Sequence, residues 1–154
     1  MIGWLGISML IVSWDICFLF LRPDSMPGGS LSQLWAPYAT YIAIDLSYAD
    51  LDNSFVIAQA IMSFVEIIMG IVVLRWIYLK KTTAAALLLM VVSSMTAAKT
   101  TLIFVLECVS GFESVGHAAL SEIILVYAIP NAIWVLIPTW VAVSLGRQIS
   151  RTTV

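Results

Sequence analysis

Three ionisable side chains interrupt the long apolar runs of this chain, namely Asp15, Glu66 and Lys99. An ionised group at the centre of a bilayer costs about 2.5–3.5 kcal/mol on insertion scales, so chains keep such groups where they have a function or a partner. Carboxyl and amine groups in a low-dielectric pocket can act as general acid and base near neutral pH. These residue types therefore predict proton transfer on an apolar substrate. A purely structural ion pair between Lys99 and one of the carboxylates is the alternative.

Polar and aromatic residues recur at helical spacing around these groups. Gln59 lies seven residues before Glu66, and both therefore share one helix face. Tyr127, Asn131 and Trp134 follow one another at intervals of four and three, which also predicts a common face. A phenol or indole ring facing the site can stabilise developing positive charge by cation–π attraction. We therefore predict that Gln59, Tyr127, Asn131 and Trp134 bind the substrate.

The composition defines the elements that must position these residues. The chain has 154 residues, of which 62% are hydrophobic and 10% charged, and its mean hydropathy is +1.05. Soluble domains carry about 25% charged residues, so we predict an integral membrane protein with a single domain over residues 1–154. A net charge of -2 gives no argument for nucleic acid. The sequence has no metal-ligand spacing and no phosphate-binding loop, so we predict no metal and no cofactor. Cys17 and Cys108 are predicted to be buried free thiols.

Four apolar segments are long enough to span a bilayer, which takes about 20 residues of helix. They cover approximately 2–21, 54–77, 83–108 and 118–145, and they predict an all-α bundle of four transmembrane helices. The long first connection begins with proline, glycine and serine and ends in aromatic and acidic residues. We expect it to lie along the membrane interface or to cap the bundle.

Depth along the helices predicts that the polar groups converge. At a rise of about 1.5 Å per residue, the depths from the non-cytoplasmic edge are ~10 Å for Asp15, ~8 Å for Gln59, ~18 Å for Glu66, ~14 Å for Lys99 and ~20 Å for Asn131. All four helices thus contribute to one layer between the outer edge and the midplane.

Basic residues predict the orientation. Lys80 and Lys81 lie in the second connection, and Arg147 and Arg151 lie near the C-terminus. The first connection sets one arginine against four aspartates, and the third has neither lysine nor arginine. The positive-inside rule then places both termini in the cytoplasm.

Five sequence motifs occur in a characteristic order. They are Trp14-Asp15 followed by Arg22-Pro23, LSQLW followed by Tyr38, DLSYADLDN from Asp45 to Asn53, LIFVLE from Leu102 to Glu107 followed by Gly111-Phe112, and NAIWVLIP from Asn131 to Pro138. In this order and spacing they resemble the emopamil-binding protein (EXPERA domain) family, which includes sterol Δ8–Δ7 isomerases and the sigma-two receptor. The resemblance covers nearly the whole chain.

The resemblance implies an endoplasmic reticulum membrane protein with a vestibule for sterol-like or cationic amphiphilic ligands. In the isomerases, acidic residues and a histidine move protons, and the positions matching Asn131 and Trp134 line the vestibule. Asp52 and Glu107 match acidic positions of the family motifs. The candidate catalytic residues are therefore Asp15, Asp52, Glu66, Lys99 and Glu107. The resemblance also leaves a homodimer open.

Four positions depart from the isomerase pattern. Ile11 stands where the isomerases have histidine, Gln59 where the family usually has glutamate, and Lys99-Thr100 where they have glycine and aspartate. The proton-transfer set is therefore rewritten, with Glu66 and Lys99 as a substitute acid/base pair.

The function predicted first is a membrane enzyme that isomerises or cyclises a sterol-, terpenoid- or polyene-like molecule, in secondary metabolism. A variant of this reading is an epoxide-opening cyclase or hydrolase. The second class is a non-catalytic binder of sterols or cationic amphiphiles, with Asp15 as the counter-ion. In each case the partners are a lipophilic small molecule and the lipid bilayer.

Overall fold

The computed structural model describes residues 1–152, which form helices joined by short turns. In chain order these are α1 (Ile2–Phe20), a 3-10 turn (Ser32–Trp35), α2 (Tyr38–Ile44), α3 (Leu46–Ala49), α4 (Ser54–Tyr78), α5 (Thr82–Val109), α6 (Leu120–Glu122), a π-helical stretch (Ile123–Ala128) and α7 (Ile129–Thr152). The segment from α6 to α7 runs on as one long helix, here called the fourth membrane helix.

Four helices are long and apolar enough to cross a membrane, so the predicted all-α, four-span architecture is confirmed. The first three predicted spans agree with the helices to within one residue at each end. The fourth begins at Leu120 rather than at 118 and continues to Thr152 rather than to 145. The extension beyond residue 145 is polar, and the predicted span ended with the apolar residues. The helix continues past them because its backbone hydrogen bonding does not depend on apolar side chains.

The half of the bundle that contains the start of α1 has a tightly packed apolar core around Leu5, Val73 and Val141, and we call it the closed half. Its core takes residues from all four membrane helices, of which Val73 and Val141 are fully buried. Gly70 brings α4 close to α1, since a Cβ there would lie 2.8 Å from the sulfur of Met9. Small residues allow such close approach between membrane helices. The core residues of the closed half are Leu5, Val73, Ala85, Leu89, Val141 and Leu145.

The first connection, residues 21–53, folds over the opposite half as a cap. Trp35 donates its indole N–H to the carbonyl of Trp14 at 3.0 Å, which attaches the cap to α1. Arg22 donates from one nitrogen to the carbonyls of Tyr48 and Asp50, each at 2.9 Å, and so ties the end of the cap to the end of α1. The first connection therefore caps the bundle, which is one of the two predicted arrangements.

The fourth membrane helix has an irregular first part. Its π-helical stretch ends at Ala128, two residues before Pro130, and Pro138 lies fully buried inside α7. Proline has no backbone donor, so each one leaves a carbonyl of the preceding turn without its helical partner. The sequence did not predict the π-helical stretch.

The two cysteines correct one sequence prediction. Cys17 and Cys108 are free thiols, as expected, but both are exposed on the outer surface of the bundle. Membership of an apolar segment predicted burial, whereas a spanning helix also has an apolar face turned to lipid. A thiol is apolar enough to lie on that face.

Candidate functional site

A cavity of about 410 Å³ lies between the four membrane helices and the cap. Its volume is within the range of about 300–1,000 Å³ that is usual for small-molecule sites. Carbon surface predominates, and a few polar groups converge on it, which is also usual for such sites. The polar and aromatic side chains on its wall are Asp15, Tyr38, Tyr41, Tyr48, Gln59, Ser63, Glu66, Thr96, Lys99, Thr100, Asn131 and Trp134.

Asp15 is held on α1 by two phenols from the cap. Tyr38 donates to Oδ1 at 2.5 Å, and Tyr48 is 3.4 Å from Oδ2. Phe18, one turn after Asp15, stacks on the Tyr38 ring with the centroids 4.1 Å apart, and this fixes the phenol. Burial and the Asp15 charge raise the pKa of both tyrosines, so both stay neutral hydrogen-bond donors. The cap thus orients the carboxylate.

Lys99 and Glu66 form an ion pair across α5 and α4, with Nζ 3.2 Å from Oε2. Lys99 also donates to the hydroxyl of Ser63, and Thr96 donates to the same Oε2 at 3.0 Å. The other carboxylate oxygen, Oε1, is buried and has no hydrogen-bond partner among residues 1–152. One oxygen of Glu66 therefore carries the whole pairing, and the other remains available to accept or give a proton.

Gln59 and Asn131 are engaged with backbone from neighbouring turns. Gln59 donates its amide to the carbonyl of Lys99 at 3.0 Å, which joins α4 to α5 beside the cavity. Asn131 donates to the carbonyl of Tyr127 at 2.9 Å, and its amide also interacts with the hydroxyl of Tyr41. Asn131 thereby connects the wall of the fourth membrane helix to the cap.

Trp134 forms the floor of the cavity towards the closed half. Its ring lies 5.2 Å from the ring of Trp4, centroid to centroid, with the planes tilted by 54°. The pair separates the cavity from the apolar core below. Its indole face offers a site where positive charge in a ligand would be attracted.

Six of the sequence-predicted site residues meet in this cavity, and three lie outside it. The six are Asp15, Gln59, Glu66, Lys99, Asn131 and Trp134. The outer three are Asp52, Glu107 and Tyr127. Asp52 is exposed in the turn before α4, where its N–H donates to Asp50, because the chain must reverse there. Its predicted catalytic role has no support from this position.

Tyr127 was predicted to share a face with Asn131 and Trp134, and that prediction was wrong. In a π-helix the backbone hydrogen bonds join residues five apart rather than four, and Val126 lines the cavity beside Asn131 in place of Tyr127. The Tyr127 ring packs edge-on against Phe104, with centroids 5.9 Å apart, in a separate apolar cluster.

Glu107 is buried in the same region as Tyr127, outside the cavity. It interacts electrostatically with Asp45 and with Tyr127, and its Oε2 has no hydrogen-bond partner within the described residues. Asp45 accepts from the N–H and the hydroxyl of Ser47 and from Tyr41 at 3.2 Å, and burial raises its pKa. Tyr41 thus stands between this outer carboxyl group and the cavity.

The cap tyrosines and three hydroxyl side chains are the site residues that the sequence did not predict. Tyr38, Tyr41 and Tyr48 come from outside the spans, and the depth argument covered only the spans. Tyr38 and Tyr48 do lie within the quoted motifs, which was the available signal. Ser63, Thr96 and Thr100 give no signal in the sequence, because a hydroxyl within an apolar helix is most often bonded to its own backbone.

Within residues 1–152, no three His, Cys, Asp or Glu side chains group as metal ligands would. Comparison with protein-family models, with curated proteins and with solved structures gives no match to this chain. The geometry of the site is therefore the basis for inferring its chemistry. That geometry offers a proton acceptor, a proton-carrying ion pair and an aromatic face around one apolar space.

Proposed function

We propose that this protein is a membrane-embedded enzyme that isomerises or cyclises a lipophilic sterol-, terpenoid- or polyene-like molecule by acid/base catalysis. One observation carries the proposal: Asp15 and the Glu66–Lys99 pair line the same cavity within the spans, supported by different partners. Moving a double bond requires one group that gives a proton and another that removes one from a different carbon. The two carboxyl sites match these two requirements.

The roles follow from the hydrogen bonds. Both oxygens of Asp15 accept hydrogen bonds from phenols, which favours the ionised carboxylate and holds it in position to act as the base. The Glu66–Lys99 pair holds mobile protons and has an unpartnered carboxyl oxygen, so it is suited to give one. Protonation of a double bond generates a carbocation, which the face of Trp134 and the charge of Asp15 stabilise. Asn131 is placed to orient a hydroxyl group of the substrate.

Opening of an epoxide is the variant of this proposal within the enzyme class. The proton-giving pair would activate the epoxide oxygen, and the carboxylate of Asp15 would activate water or an internal hydroxyl. The need for an acid and a base on separate walls is the same as for isomerisation, and the two-sided cavity supports both.

A non-catalytic binder of cationic amphiphiles is the second candidate, and one observation favours it. In the described part of the chain, the lysine of the cavity pairs with Glu66, and Asp15 has no ion-pair partner. A ligand amine could therefore occupy the place beside Asp15 and pack on Trp134.

Membership of the EXPERA family, location in the endoplasmic reticulum and cytoplasmic termini are part of the proposal. They rest on the five motifs and on the basic residues of the second connection and the C-terminal region. A homodimer is compatible with the large apolar outer surface of the helices, but no particular face favours it.

The proposal is tested by incubating the purified protein with sterol, terpenoid and epoxide substrates and identifying products by mass spectrometry. Product formation that falls more than about tenfold in Asp15→Asn supports the enzyme. Glu113→Gln is the matched control, because this exposed carboxylate lies in the third connection, away from the cavity. Unchanged substrates throughout, with tight binding of a cationic amphiphile that Asp15→Asn abolishes, would replace the enzyme by the binder.

A further inference from the structure

Lys99 has the surroundings of a reactive amine. Its side chain is 13% exposed and lines the cavity, whereas the other two lysines of the chain, Lys80 and Lys81, are exposed in the turn between α4 and α5. Proteins that form Schiff bases use lysines that are buried in apolar pockets. Lys99 is therefore the amine in this chain that a lipophilic ligand would meet.

The ion pair of Lys99 is incompletely satisfied, which a purely structural role does not explain. Glu66 is 6% exposed, and its Oε2 receives both Lys99 and Thr96. Its Oε1 is buried without a hydrogen-bond partner in the part of the chain that the structure describes. A buried ion pair stabilises a fold only where its remaining hydrogen-bonding capacity is used. The unpartnered Oε1 is instead explained if Glu66 accepts a proton during a reaction.

We propose that Lys99 forms a Schiff base with the carbonyl group of a lipophilic aldehyde or ketone bound in the cavity. The lysine first passes a proton to Glu66, which lies 3.2 Å from Nζ. The free amine attacks the carbonyl carbon, and one N–H proton moves to the carbonyl oxygen to give a carbinolamine. Glu66 then protonates that hydroxyl group, which leaves as water while the carbon–nitrogen double bond forms.

The charges balance in this sequence. The starting ammonium–carboxylate pair becomes an iminium–carboxylate pair, and one water molecule is the other product. No net charge is created or moved away from Glu66, which matters because an uncompensated charge in a low-dielectric cavity is costly. Ser63 and Thr96 remain in place as hydrogen-bonding groups beside the new bond.

The inference uses the cavity but does not depend on the acid/base function proposed above. Carbon surface predominates in the cavity wall and the cavity lies within the spans, so it selects a carbonyl compound with an apolar tail. An isoprenoid aldehyde has that form, and farnesal is a suitable probe. Farnesol has the same tail without the carbonyl and serves as the matched control ligand.

The experiment is reductive trapping in detergent micelles. The protein is incubated with farnesal and sodium cyanoborohydride, and intact mass and peptide mapping locate the adduct. We expect one adduct per chain on Lys99, none with farnesol, and undiminished labelling in the double variant Lys80→Arg/Lys81→Arg. Lys99→Arg, which keeps a cation beside Glu66, should lose the adduct, and Glu66→Gln should slow its formation by about tenfold.

Mapping in the unaltered protein decides the matter even if a variant fails to fold. Labelling confined to Lys80, Lys81 or the N-terminal amine, with Lys99 unmodified, would overturn the inference. Conversion of an alkene substrate without any adduct on Lys99 would contradict the Schiff-base proposal and support the acid/base enzyme. An adduct on Lys99 without alkene conversion would support the Schiff-base proposal and contradict the acid/base enzyme.

Discussion

The two halves of the bundle are built from the same four helices and differ in how the helices are filled. In the closed half, apolar side chains from every helix meet at full burial around Val73 and Val141. In the other half, the helices part around a cavity lined by two carboxyl groups and an amine, and the cap forms part of its wall. The closed half can therefore fix the helix positions while the cavity half carries groups that a stable core would exclude.

Lys99→Met should give the largest effect, because it removes the cation from the cavity half. A buried carboxylate left without its partner costs about 3–5 kcal/mol, so the unfolding midpoint in detergent should fall strongly. Turnover of a substrate found for the enzyme should fall more than about tenfold. The double variant Lys99→Met/Glu66→Gln removes both charges and should recover most of the stability without recovering turnover. If the double variant turned over at the normal rate, the pair would be structural.

Val73→Ala is the corresponding change in the closed half. It removes two methyl groups at a fully buried position, so we expect a loss of about 1–2 kcal/mol in stability from lost packing. Turnover should stay unchanged, since the position is outside the cavity. Ile71→Ala, at a side chain that is 55% exposed, is the control and should change stability little. A loss of activity without a loss of stability would show that the two halves are not separable in function.

The cap offers a finer comparison between two phenols on one carboxylate. Tyr38→Phe removes the 2.5 Å hydrogen bond to Asp15, and a bond to a charged group contributes about 1.5–3 kcal/mol. Turnover should therefore fall about tenfold or more. Tyr48→Phe removes only the 3.4 Å contact and should have a smaller effect. Equal effects of the two variants on the rate would contradict the assigned role of Tyr38 in orienting Asp15.

Asp45→Asn should give the smallest effect, visible as a change in pH dependence. Because burial raises the pKa of Asp45 above its ordinary value of 3.8, folding favours the protonated carboxyl group. This stabilisation is complete below the ordinary pKa and is lost as the pH rises through the raised, folded value. Asparagine keeps the helix-capping acceptor and does not titrate, so the unfolding midpoint of the variant should fall less between about pH 4 and about pH 8.

The exposed Asp50→Asn is the control for that titration and should keep the original pH dependence. Parallel curves for Asp45→Asn and the unaltered protein would mean that a group other than Asp45 causes the dependence.

The sequence predicted the spans and the convergence of the polar groups, because both follow from counting residues along a regular helix. Asp15, Glu66, Lys99 and Asn131 have large polar groups at a depth where lipid cannot solvate them, so their meeting was a strong expectation. The cap could not be predicted in this way. Its fold depends on long-range hydrogen bonds such as Trp35 to Trp14, which no local pattern encodes.

The lateral register of the fourth membrane helix also escaped prediction. A regular helix with 3.6 residues per turn would place Tyr127 on the cavity face. Because this part of the helix is π-helical, Tyr127 lies outside the cavity. The sequence also could not predict that Cys17 and Cys108 lie on the outer surface of the bundle. Lipid and protein core favour the same apolar residue types, so the residue type does not distinguish them.

The widened turn at Ile123–Ala128 has a consequence for how such a protein can diverge. Removing one residue from among Ile123, Ile124 and Leu125 would restore a regular helix, in which Tyr127 lies one turn of four residues before Asn131. Tyr127 would then replace Val126 above Asn131, and the cavity would gain a phenol in place of a hydrocarbon surface. A change in chain length of one residue, with no new side chain, would thus alter which ligands the wall can hydrogen-bond.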